Sequence, residues 1–496
     1  MVSILSLVLG LACLCHVSLA LSGEQVVQDL QRRLSPGSKV VLASDAAFAK
    51  DFTPRFSITT PPVFVVAAKP RLVTDVQQIV RYASRNHVPF LATGGGHGYS
   101  STLGRLRHGI LLDLGHFDAV EVDAAANTMT VGGAARSVNV SSAVQAAGKE
   151  IPVGQCICIG YAGATMGGGI GPYSGLYGTQ SDSLLSAEMV TGTGDIVTVS
   201  EAEHPDLFYA VKGAGFNYGI ATSLTYAVYP ATNGGRAVNA DMIFPGHLNG
   251  SVWRLAASFV GRQPKELSIT LAVGYDPKLG GLFLIGNFIY AGPRAQGLDL
   301  IQPFLDLKPL NVSISTVEWK DVPAKAVYGH TLAGCTPGAH YVPFAANLYR
   351  VDVPSLVSLA NYMDEAMSAD PALRSTIIAW AQYAPHGFQR HADASSAFPH
   401  RDAVVFAQID GFAEQAAQVP ALARFGRDLR RRLQRASGRD ALAVYAHFAH
   451  GDEAPEAWYS ASRLARLRAL KAVYDPENLF SYYNPVLGRS GCRAGA

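Results

Sequence analysis

The sequence predicts an α+β protein with more than one domain. Residues 63–92 read as a strand, a helix and a second strand, because apolar residues recur first in a continuous run and then at helical spacing. Beyond Pro230 the strands become longer and alternate, and helical segments such as 295–307 separate them. This second pattern is typical of an antiparallel sheet covered by helices. A chain of 496 residues also exceeds the size of one typical core.

Each further element follows from its local pattern. Apolar and β-branched runs predict strands in the first block, and two of them flank the Gly-Thr-Gly-Asp turn at 192–195. A helix is predicted at 141–147, and the chain becomes helical and basic from 456 to 471. The predicted strands are 63–66, 89–92, 110–114, 128–131, 187–190, 196–199 and 220–226, followed by 267–273, 282–290, 377–382 and 404–410.

Composition excludes several classes of protein. The chain is 49% hydrophobic and 16% charged, with a formal net charge of +2. Disordered chains combine low hydrophobicity with high net charge, so most of this chain is expected to fold. A charge this close to zero provides no electrostatic footprint for nucleic acid.

The N-terminus predicts a secretory route. Residues 1–20 are apolar and end in Ser18-Leu19-Ala20, which is typical of a signal peptide with its cleavage site, although no Lys or Arg precedes the apolar run. A transmembrane anchor is the alternative. Asn-x-Ser sequons at Asn139, Asn249 and Asn311 agree with the signal peptide, so we expect a secreted glycoprotein or one in the secretory lumen.

Three glycine-rich stretches indicate a phosphate-bearing cofactor. They span 94–98, 154–178 and 213–219. Closely spaced glycines let backbone N–H groups converge on an anion, although tight turns without a ligand are the alternative. A Rossmann fingerprint is not supported, since no clean GxGxxG precedes a helix. His97 in the first stretch and Cys156 in the second suggest covalent attachment of the cofactor.

Cysteine usage leaves two alternatives open. Cys13 and Cys15 fall in the predicted signal peptide, and Cys156 and Cys158 are too close for a good disulfide. The chain therefore predicts either buried thiols or a disulfide from Cys335 to Cys492.

At this point the motifs resemble a known family. Their order is similar to that of the berberine-bridge-enzyme-like flavoproteins, in the vanillyl-alcohol-oxidase superfamily. The motifs that carry the resemblance are Gly94-Gly95-Gly96-His97, Gly154-Gln155-Cys156, Met166–Gly171, His204–Phe208, Gly213–Ile220, Phe398-Pro399-His400-Arg401 and Tyr474–Phe480.

The resemblance implies a two-part FAD-binding domain with an inserted substrate domain of antiparallel sheet. Residues 21–230 and 451–496 would form the first domain, and residues 231–450 the second. It further implies FAD bonded through its 8α carbon to His97 and through C6 to Cys156, with Cys158 as a possible competitor. The other cofactor-binding residues that it implies are Gly94, Gly95, Gly96, Gly98, Ser100, Ile159, Gly160, Gly163, Gly167, Gly168, Gly169, Gly171, Asn217, Gly219, Ile220, Tyr482 and Asn484.

The substrate side departs from the family pattern. Ala407 stands where the family strand often carries an acid, and strand alternation points Gln408 and Asp410 away from the face that holds Ala407. Phe448 replaces a tyrosine that serves many members as the base. By their chemistry, the substitute catalytic residues are Tyr445, His447, Tyr482 and Tyr483. No metal is expected, because the His447/His450 pair lacks a convincing third ligand.

Taken together, these features predict an FAD-dependent oxidoreductase that oxidises a small, fairly apolar natural product in secondary metabolism. Its partners would be that small-molecule substrate and molecular oxygen or another electron acceptor, without nucleic acid and without stable membrane insertion. Ile159 argues against fast reaction with oxygen if it borders the flavin. Two alternatives are an oligosaccharide oxidase that makes lactone and hydrogen peroxide, and a flavin-loaded cyclase or isomerase with little redox turnover.

Overall fold

The first part of the fold is a small four-stranded sheet with the strand order β1-β2-β4-β3. The computed structural model describes residues 21–488. Strand β1 pairs antiparallel with β2, whereas β2 and β3 both run parallel to β4. The predicted strand–helix–strand unit is confirmed as β2, helix α3 and β3. These elements are β1 (Lys39–Leu42), β2 (Phe64–Lys69), α3 (Val73–Arg85), β3 (Phe90–Thr93) and β4 (Gly109–Asp113).

A five-stranded antiparallel sheet follows, in the order β5-β6-β10-β8-β9. The predicted pairing about the turn at 192–195 is confirmed by the antiparallel register of β8 and β9. A short ribbon joins β7 to β11. The strands are β5 (Val120–Asp123), β6 (Thr128–Gly132), β7 (Lys149–Glu150), β8 (Leu184–Thr191), β9 (Ile196–Ser200), β10 (Gly219–Ala227) and β11 (Tyr229–Pro230).

The third sheet has seven antiparallel strands in the order β15-β12-β14-β13-β17-β18-β16. One face packs on helices and forms an apolar core. The other face is directed toward the glycine-rich loops, as Gln408 and Thr270 show by hydrogen bonding to Tyr99 and Gln155. The strands are β12 (Arg236–Pro245), β13 (Leu267–Asp276), β14 (Gly281–Tyr290), β15 (Asn311–Glu318), β16 (His340–Leu348), β17 (Thr376–Tyr383) and β18 (Val405–Ala413).

Helices cover the sheets, and the C-terminal ones return the chain to the first part of the fold. Val444, Trp458 and Leu467 share a core with the five-stranded sheet. None of the helices in residues 21–488 is long and apolar enough to cross a bilayer. The remaining helices are α1 (Gly23–Gln31), α2 (Ala46–Asp51), α4 (Ser137–Ala146), α5 (Tyr161–Met166), α6 (Ser174–Tyr177), α7 (Pro205–Ala214), α8 (Asn249–Ser258), α9 (Arg294–Leu305), α10 (Val322–Lys325), α11 (Val353–Ala369), α12 (His386–Gln389), α13 (Val419–Ala436), α14 (Pro455–Tyr459) and α15 (Ala461–Tyr474).

Candidate functional site

Two glycine-rich loops cross each other at the centre of the site. A Cβ added to Gly95 would lie 2.4 Å from the backbone nitrogen of Gly160, so this crossing is possible only without a side chain. Gly163, in helix α5 directly after this loop, faces open space, since an added Cβ would meet nothing within 4 Å. Arg136 bridges the loops by donating to the carbonyl oxygens of Gly95 and Cys158. The two loops therefore pack backbone to backbone, and the surface beside Gly163 is open.

His97 follows strand β3 and lies at the edge of this crossing. Its ring stacks on Phe56, with the ring centroids 4.8 Å apart and the planes 6° from parallel. Burial lowers the pKa of His97 to about 4, and its hydrogen bond to the backbone of Gly334 only partly opposes that shift. The imidazole is therefore neutral at pH 7 and keeps a nitrogen lone pair, as a nucleophile requires.

Cys156 is the free thiol of the second loop. Cys158 forms a disulfide with Cys335, so the predicted alternative of a Cys335–Cys492 disulfide is wrong; Cys492 itself lies outside the described residues. The segment Val327–Cys335, which we call the strap, brings Gly334 beside Cys156, so Cys335 meets Cys158 although no sequence pattern predicts this placement. In this arrangement Cys156, and not Cys158, has the thiol that could bond a cofactor.

His97 and Cys156 face the same small volume. The position that a Cβ would take on Gly334 lies 3.3 Å from the Cys156 sulfur and 3.9 Å from Cε1 of His97. Burial raises the pKa of the Cys156 thiol, while hydrogen bonds from the Cys158 and Ile159 backbone lower it. The two predicted attachment residues are thus brought together by the fold, although they are 59 positions apart in the chain.

A polar cluster that no sequence motif predicted lies on the facing sheet. It consists of Tyr99, Tyr341, Gln408 and Asp410. Tyr341 on β16 donates a very short hydrogen bond to the Asp410 carboxylate on β18. Gln408 donates 2.8 Å and 2.9 Å hydrogen bonds to the hydroxyl oxygens of Tyr341 and Tyr99. We call these four residues the sheet cluster.

Asp410 is the titratable acid of the sheet cluster. Burial raises its pKa from 3.8 to about 6, against the hydrogen bond from Tyr341. It is therefore mainly a carboxylate at pH 7, yet basic enough to accept a proton. Phe56 connects the cluster with His97, because its ring also contacts Tyr341 at 5.3 Å between centroids. The acid thus lies close to the predicted attachment site.

Ala407, which stands where the family strand often carries an acid, lies on the face of β18 that is turned away from the glycine-rich loops. Ala407 is fully buried in the helix-side core, whereas Gln408 and Asp410 point to the opposite face. The alternation predicted this opposition. It could not show which face meets the glycine loops, because both faces of the strand are covered by protein.

The predicted residues Tyr483 and His447 form a second polar pair, which we call the tail pair. The Tyr483 hydroxyl lies 3.3 Å from Nδ1 of His447, and Nε2 of His447 lies 3.0 Å from the Ala164 carbonyl oxygen. A carbonyl oxygen can only accept a hydrogen bond, so the ring proton is assigned to Nε2 and Tyr483 donates to Nδ1. Burial lowers the pKa of His447 to about 4.

The other substitute bases have different surroundings. Tyr445 accepts a 3.0 Å hydrogen bond from the Gly169 N–H and packs among aromatic rings. The Tyr482 backbone carbonyl accepts from the Thr102 hydroxyl. Phe448 contacts the ring of Tyr445 at 5.0 Å between centroids. The ring of Tyr445 is therefore part of the aromatic lining of the site, and its hydroxyl is held by the Gly169 N–H.

Three predicted cofactor contacts instead join the C-terminal tail to the first domain in this structure. Ser100 donates a 2.6 Å hydrogen bond to the Asn484 side chain, which itself donates 2.7 Å to the Ala446 carbonyl. Asn217 accepts from the Val486 N–H at 3.1 Å. Their cofactor contacts stay predictions, because these polar atoms have protein partners.

The remaining predicted glycines allow close approaches around the loops. An added Cβ would clash with His447 at Gly167, with Phe398 at Gly168, with Gln180 at Gly169 and with the Val153 carbonyl at Gly171. Gly168 and Gly169 also have φ of +116° and +79°. Gly219 lies against the Val190 carbonyl, and Ile220 is buried in the core of the four-stranded sheet. These residues allow the backbone segments around the loops to pack closely. In the first loop, Gly96 lies against Pro54 and Gly98 against Tyr483.

Arg55 provides a test of whether the site suits an anionic cofactor. Its guanidinium donates to the Gly98 carbonyl, and its buried Nε has no hydrogen-bond partner among residues 21–488. Burial lowers the pKa of Arg55 to about 10, and it stays cationic at pH 7. A buried cation with an unused donor beside a glycine loop fits a cofactor that has phosphates or an anionic ring.

Comparison with known proteins agrees with this chemistry. Residues 65–200 match the model of an FAD binding domain, and residues 444–486 match that of berberine and berberine-like proteins. The FAD-linked oxidoreductase azaL of Aspergillus niger is 36% identical over 442 residues, which is 88% of this chain and 94% of the relative.

Solved structures show the same fold. BBE-like 1 of Physcomitrella patens superposes with a TM-score of 0.80 at 21% identity, covering 92% of this chain and 98% of that one. A xylooligosaccharide oxidase from Myceliophthora thermophila superposes with a TM-score of 0.81 at 22% identity, covering 94% and 99%. The chain belongs to the family of FAD-linked oxidoreductases with a berberine-like C-terminal region.

Proposed function

We propose that this FAD-linked oxidoreductase oxidises a hydroxyl-bearing, fairly apolar small molecule while His97 and Cys156 hold the flavin covalently. The observation that carries the proposal is the Tyr341–Asp410 hydrogen bond, one aromatic ring away from His97. Oxidation of an alcohol needs a base for the O–H proton as the C–H hydride departs. Bound FAD supplies the hydride acceptor.

Covalent attachment is supported by the state of both side chains. His97 is neutral and oriented by Gly334, and Cys156 is unpaired and faces the same volume. Arg136 and Arg55 add positive charge near His97. The charge of Arg136 partly opposes the rise that burial causes in the pKa of the Cys156 thiol. Positive charge beside a flavin also favours its reduced form, so it would raise the cofactor's affinity for electrons.

The sheet cluster supplies the proton path. Tyr341 accepts the substrate's hydroxyl proton at Oη as its own proton passes to the Asp410 carboxylate. Gln408 keeps Tyr341 in position by donating to its oxygen, and it fixes Tyr99 in the same way. Tyr341 can therefore act without a large cost of forming free phenolate, because the negative charge starts on Asp410 and is neutralised there.

Aromatic walls support an apolar substrate. Tyr341 contacts Phe56, Tyr99 and Phe412 within 5.3 Å between ring centroids. Farther along the same interface, Phe398, Phe406 and Tyr445 form an apolar cluster beneath the second glycine loop. A flat or aliphatic natural product suits such walls better than a sugar whose every face carries hydroxyls.

Secretion is also part of the proposal. The predicted signal peptide at 1–20 lies outside the described residues. Asn139 and Asn311 are exposed, whereas Asn249 is buried and donates to the Gly246 carbonyl. We therefore expect glycans at Asn139 and Asn311 and none at Asn249.

Acid precipitation tests the covalent attachment. The protein is expressed through a secretory host, and the pellet is compared for wild type, C156A, H97A and the double variant. We expect a yellow wild-type pellet, a yellow C156A pellet with a changed spectrum, and a colourless double-variant pellet. Yellow pellets from all four would contradict the assignment of both residues; a colourless wild-type pellet with yellow supernatant would show FAD held without covalent bonds.

Substrate screening separates the proposal from its two alternatives. Small aromatic and aliphatic alcohols are mixed anaerobically with the enzyme, and bleaching of the flavin is recorded. Bleaching with these alcohols supports the proposal. Bleaching and peroxide release only with xylobiose or cello-oligosaccharides would favour an oligosaccharide oxidase, whereas conversion of a compound without bleaching would favour a cyclase or isomerase.

A further inference from the structure

The strap Val327–Cys335 crosses the attachment site and is fixed at both ends. At its start, Val327 and Tyr328 have φ of +55° and +54°, a region that non-glycine residues seldom adopt. Hydrogen bonds from the backbone of these two residues to the buried Asp241 carboxylate hold that turn. At its end, Cys335 is bonded to Cys158. Its last residues are therefore held directly above His97 and Cys156.

Three sulfur atoms meet where the strap ends. The Sγ atoms of Cys156, Cys158 and Cys335 all lie within 4.8 Å of one another. Gly334 brings the strap backbone beside Cys156, since its Cβ position lies 3.3 Å from that sulfur. Cys335 thus has two sulfur neighbours in the loop, one bonded and one free.

We propose that Cys156, Cys158 and Cys335 form a thiol–disulfide exchange site, in which Cys335 pairs with either loop cysteine and the Cys158–Cys335 pair is the form that leaves Cys156 available to the flavin. A free thiol this close to a disulfide has a short path for exchange, because its sulfur already lies within 4.8 Å of both bonded sulfurs. The direct Cys156–Cys158 pair is disfavoured by their spacing of two residues.

The exchange step needs no outside oxidant or reductant. The Cys156 thiol loses its proton, and its sulfur attacks Sγ of Cys335. The Cys156–Cys335 bond forms as the Cys158–Cys335 bond breaks, and Cys158 leaves as a thiolate that takes up the proton. One disulfide and one thiol are present before and after, so the number of electrons on the protein is unchanged.

The consequence for the cofactor rests on the proposed function. A thioether between Cys156 and the flavin removes the attacking thiol and therefore locks the Cys158–Cys335 pair. Without flavin, the protein distributes between two disulfide isomers, and only one of them can bond the cofactor at both residues. The strap disulfide thus controls cofactor attachment in addition to holding the strap.

Two variants that both lack the Cys158–Cys335 disulfide test the proposal. Both C158S and C335S remove the Cys158–Cys335 bond, but only C158S leaves Cys335 free to take Cys156. Each full-length protein is equilibrated in a glutathione redox buffer, alkylated without reduction and mapped by mass spectrometry. Among molecules whose Cys156 is not bonded to flavin, we expect a Cys156–Cys335 disulfide in C158S and an alkylated Cys156 in C335S. Alkylated Cys156 in both variants would overturn the proposal.

A second experiment on wild-type protein tests the proposal even if one of the variants fails to fold. Protein from a riboflavin-starved host is mapped in the same way, and we expect both the Cys158–Cys335 and the Cys156–Cys335 peptides. The Cys158–Cys335 peptide alone would contradict exchange. This result does not depend on flavin bonding, so failure of the covalent flavin assignment in the acid-precipitation test is distinguishable from failure of the exchange site.

Discussion

Two polar clusters, the sheet cluster and the tail pair, lie beside the crossed glycine loops, and burial shifts the pKa values of their titratable groups in opposite directions. The sheet cluster has an acid, Asp410, whose pKa burial raises to about 6. The tail pair has a base, His447, whose pKa burial lowers to about 4. Both clusters place a tyrosine hydroxyl beside the titratable group, through Tyr341 and Tyr483 respectively. The same desolvation thus strengthens one proton acceptor and weakens the other.

The difference indicates which tyrosine can remove a proton at neutral pH. When Tyr341 passes its proton to Asp410, a buried negative charge is neutralised. When Tyr483 passes its proton to His447, a buried imidazolium is created, and Nε2 is already committed to the Ala164 carbonyl. Burial disfavours the second transfer and favours the first. Under the proposed function, the sheet cluster is therefore expected to accept the proton, and the tail pair joins the C-terminal segment to the Ala164 carbonyl of helix α5.

The largest expected effect comes from removing the acid. The D410N variant keeps the shape of the side chain but cannot accept a proton, so anaerobic flavin reduction by an alcohol should slow by about 10²–10⁴-fold. Stopped-flow absorbance measures the rate. D299N, which removes an exposed carboxyl from the same domain, is the control. A D410N rate within threefold of wild type would remove Asp410 from the proton path.

Stability should respond to pH through the same acid, without any substrate. Burial raises the Asp410 pKa from 3.8 to about 6, so the folded protein holds this proton more tightly than the unfolded chain. Its contribution to stability is complete below the unfolded value and is lost as pH rises through about 6, by about 3 kcal/mol in total.

D410N does not titrate at this position. The free energy of unfolding of D410N minus that of wild type should therefore increase between pH 4 and pH 7, by up to about 3 kcal/mol. Denaturant titrations at several pH values measure it. A difference that is constant across this pH range would show that the pKa of Asp410 is not raised in the folded protein.

Loss of the relay hydroxyl should have a smaller effect. In Y341F the substrate proton has no intermediate acceptor, although a water molecule can partly replace the hydroxyl, so we expect a decrease of about 10–10²-fold in flavin reduction. Y290F is a matched control, because Tyr290 also donates a hydrogen bond from the same sheet, at 2.9 Å to Gln296. Equal losses in both variants would indicate a general effect on the sheet.

The smallest effect is expected in the tail pair. Y483F removes the hydrogen bond to His447 and leaves the sheet cluster intact, so flavin reduction should change by only about two- to threefold, with a loss of stability near 1 kcal/mol. Thermal unfolding and the reduction rate are measured on the same sample. A Y483F rate as low as that of D410N would reverse the comparison between the two clusters.

The sequence predicted the sheets better than it predicted the acid, and attachment of FAD at His97 and Cys156 stays a prediction. Periodicity located β8, β9 and β13, because apolar alternation is a local property. The His97 and Cys156 positions followed from motifs. Asp410 was placed correctly opposite Ala407, yet its importance depends on which sheet face meets the loops, and that is decided by packing between distant segments.

The disulfide was also beyond the reach of the sequence. Cys158 and Cys335 are 177 residues apart, and their pairing depends on the strained turn at Val327 and Tyr328 that folds the strap back. Tyr99 and Tyr341 were missed for related reasons. Tyr99 becomes a partner of Gln408 only when the glycine-rich loop contacts the sheet, and Tyr341 becomes one only when β16 pairs with β18.

The most direct test of the account is the pH dependence of anaerobic flavin reduction in wild type, D410N and Y483F, with one alcohol identified by the bleaching screen. We expect the wild-type and Y483F rates to rise with pH through an apparent pKa near 6 and then level, as Asp410 becomes a carboxylate. In D410N this rise should be absent. A wild-type profile that stays level down to about pH 4 and is lost in Y483F would assign the proton to the tail pair and contradict the account.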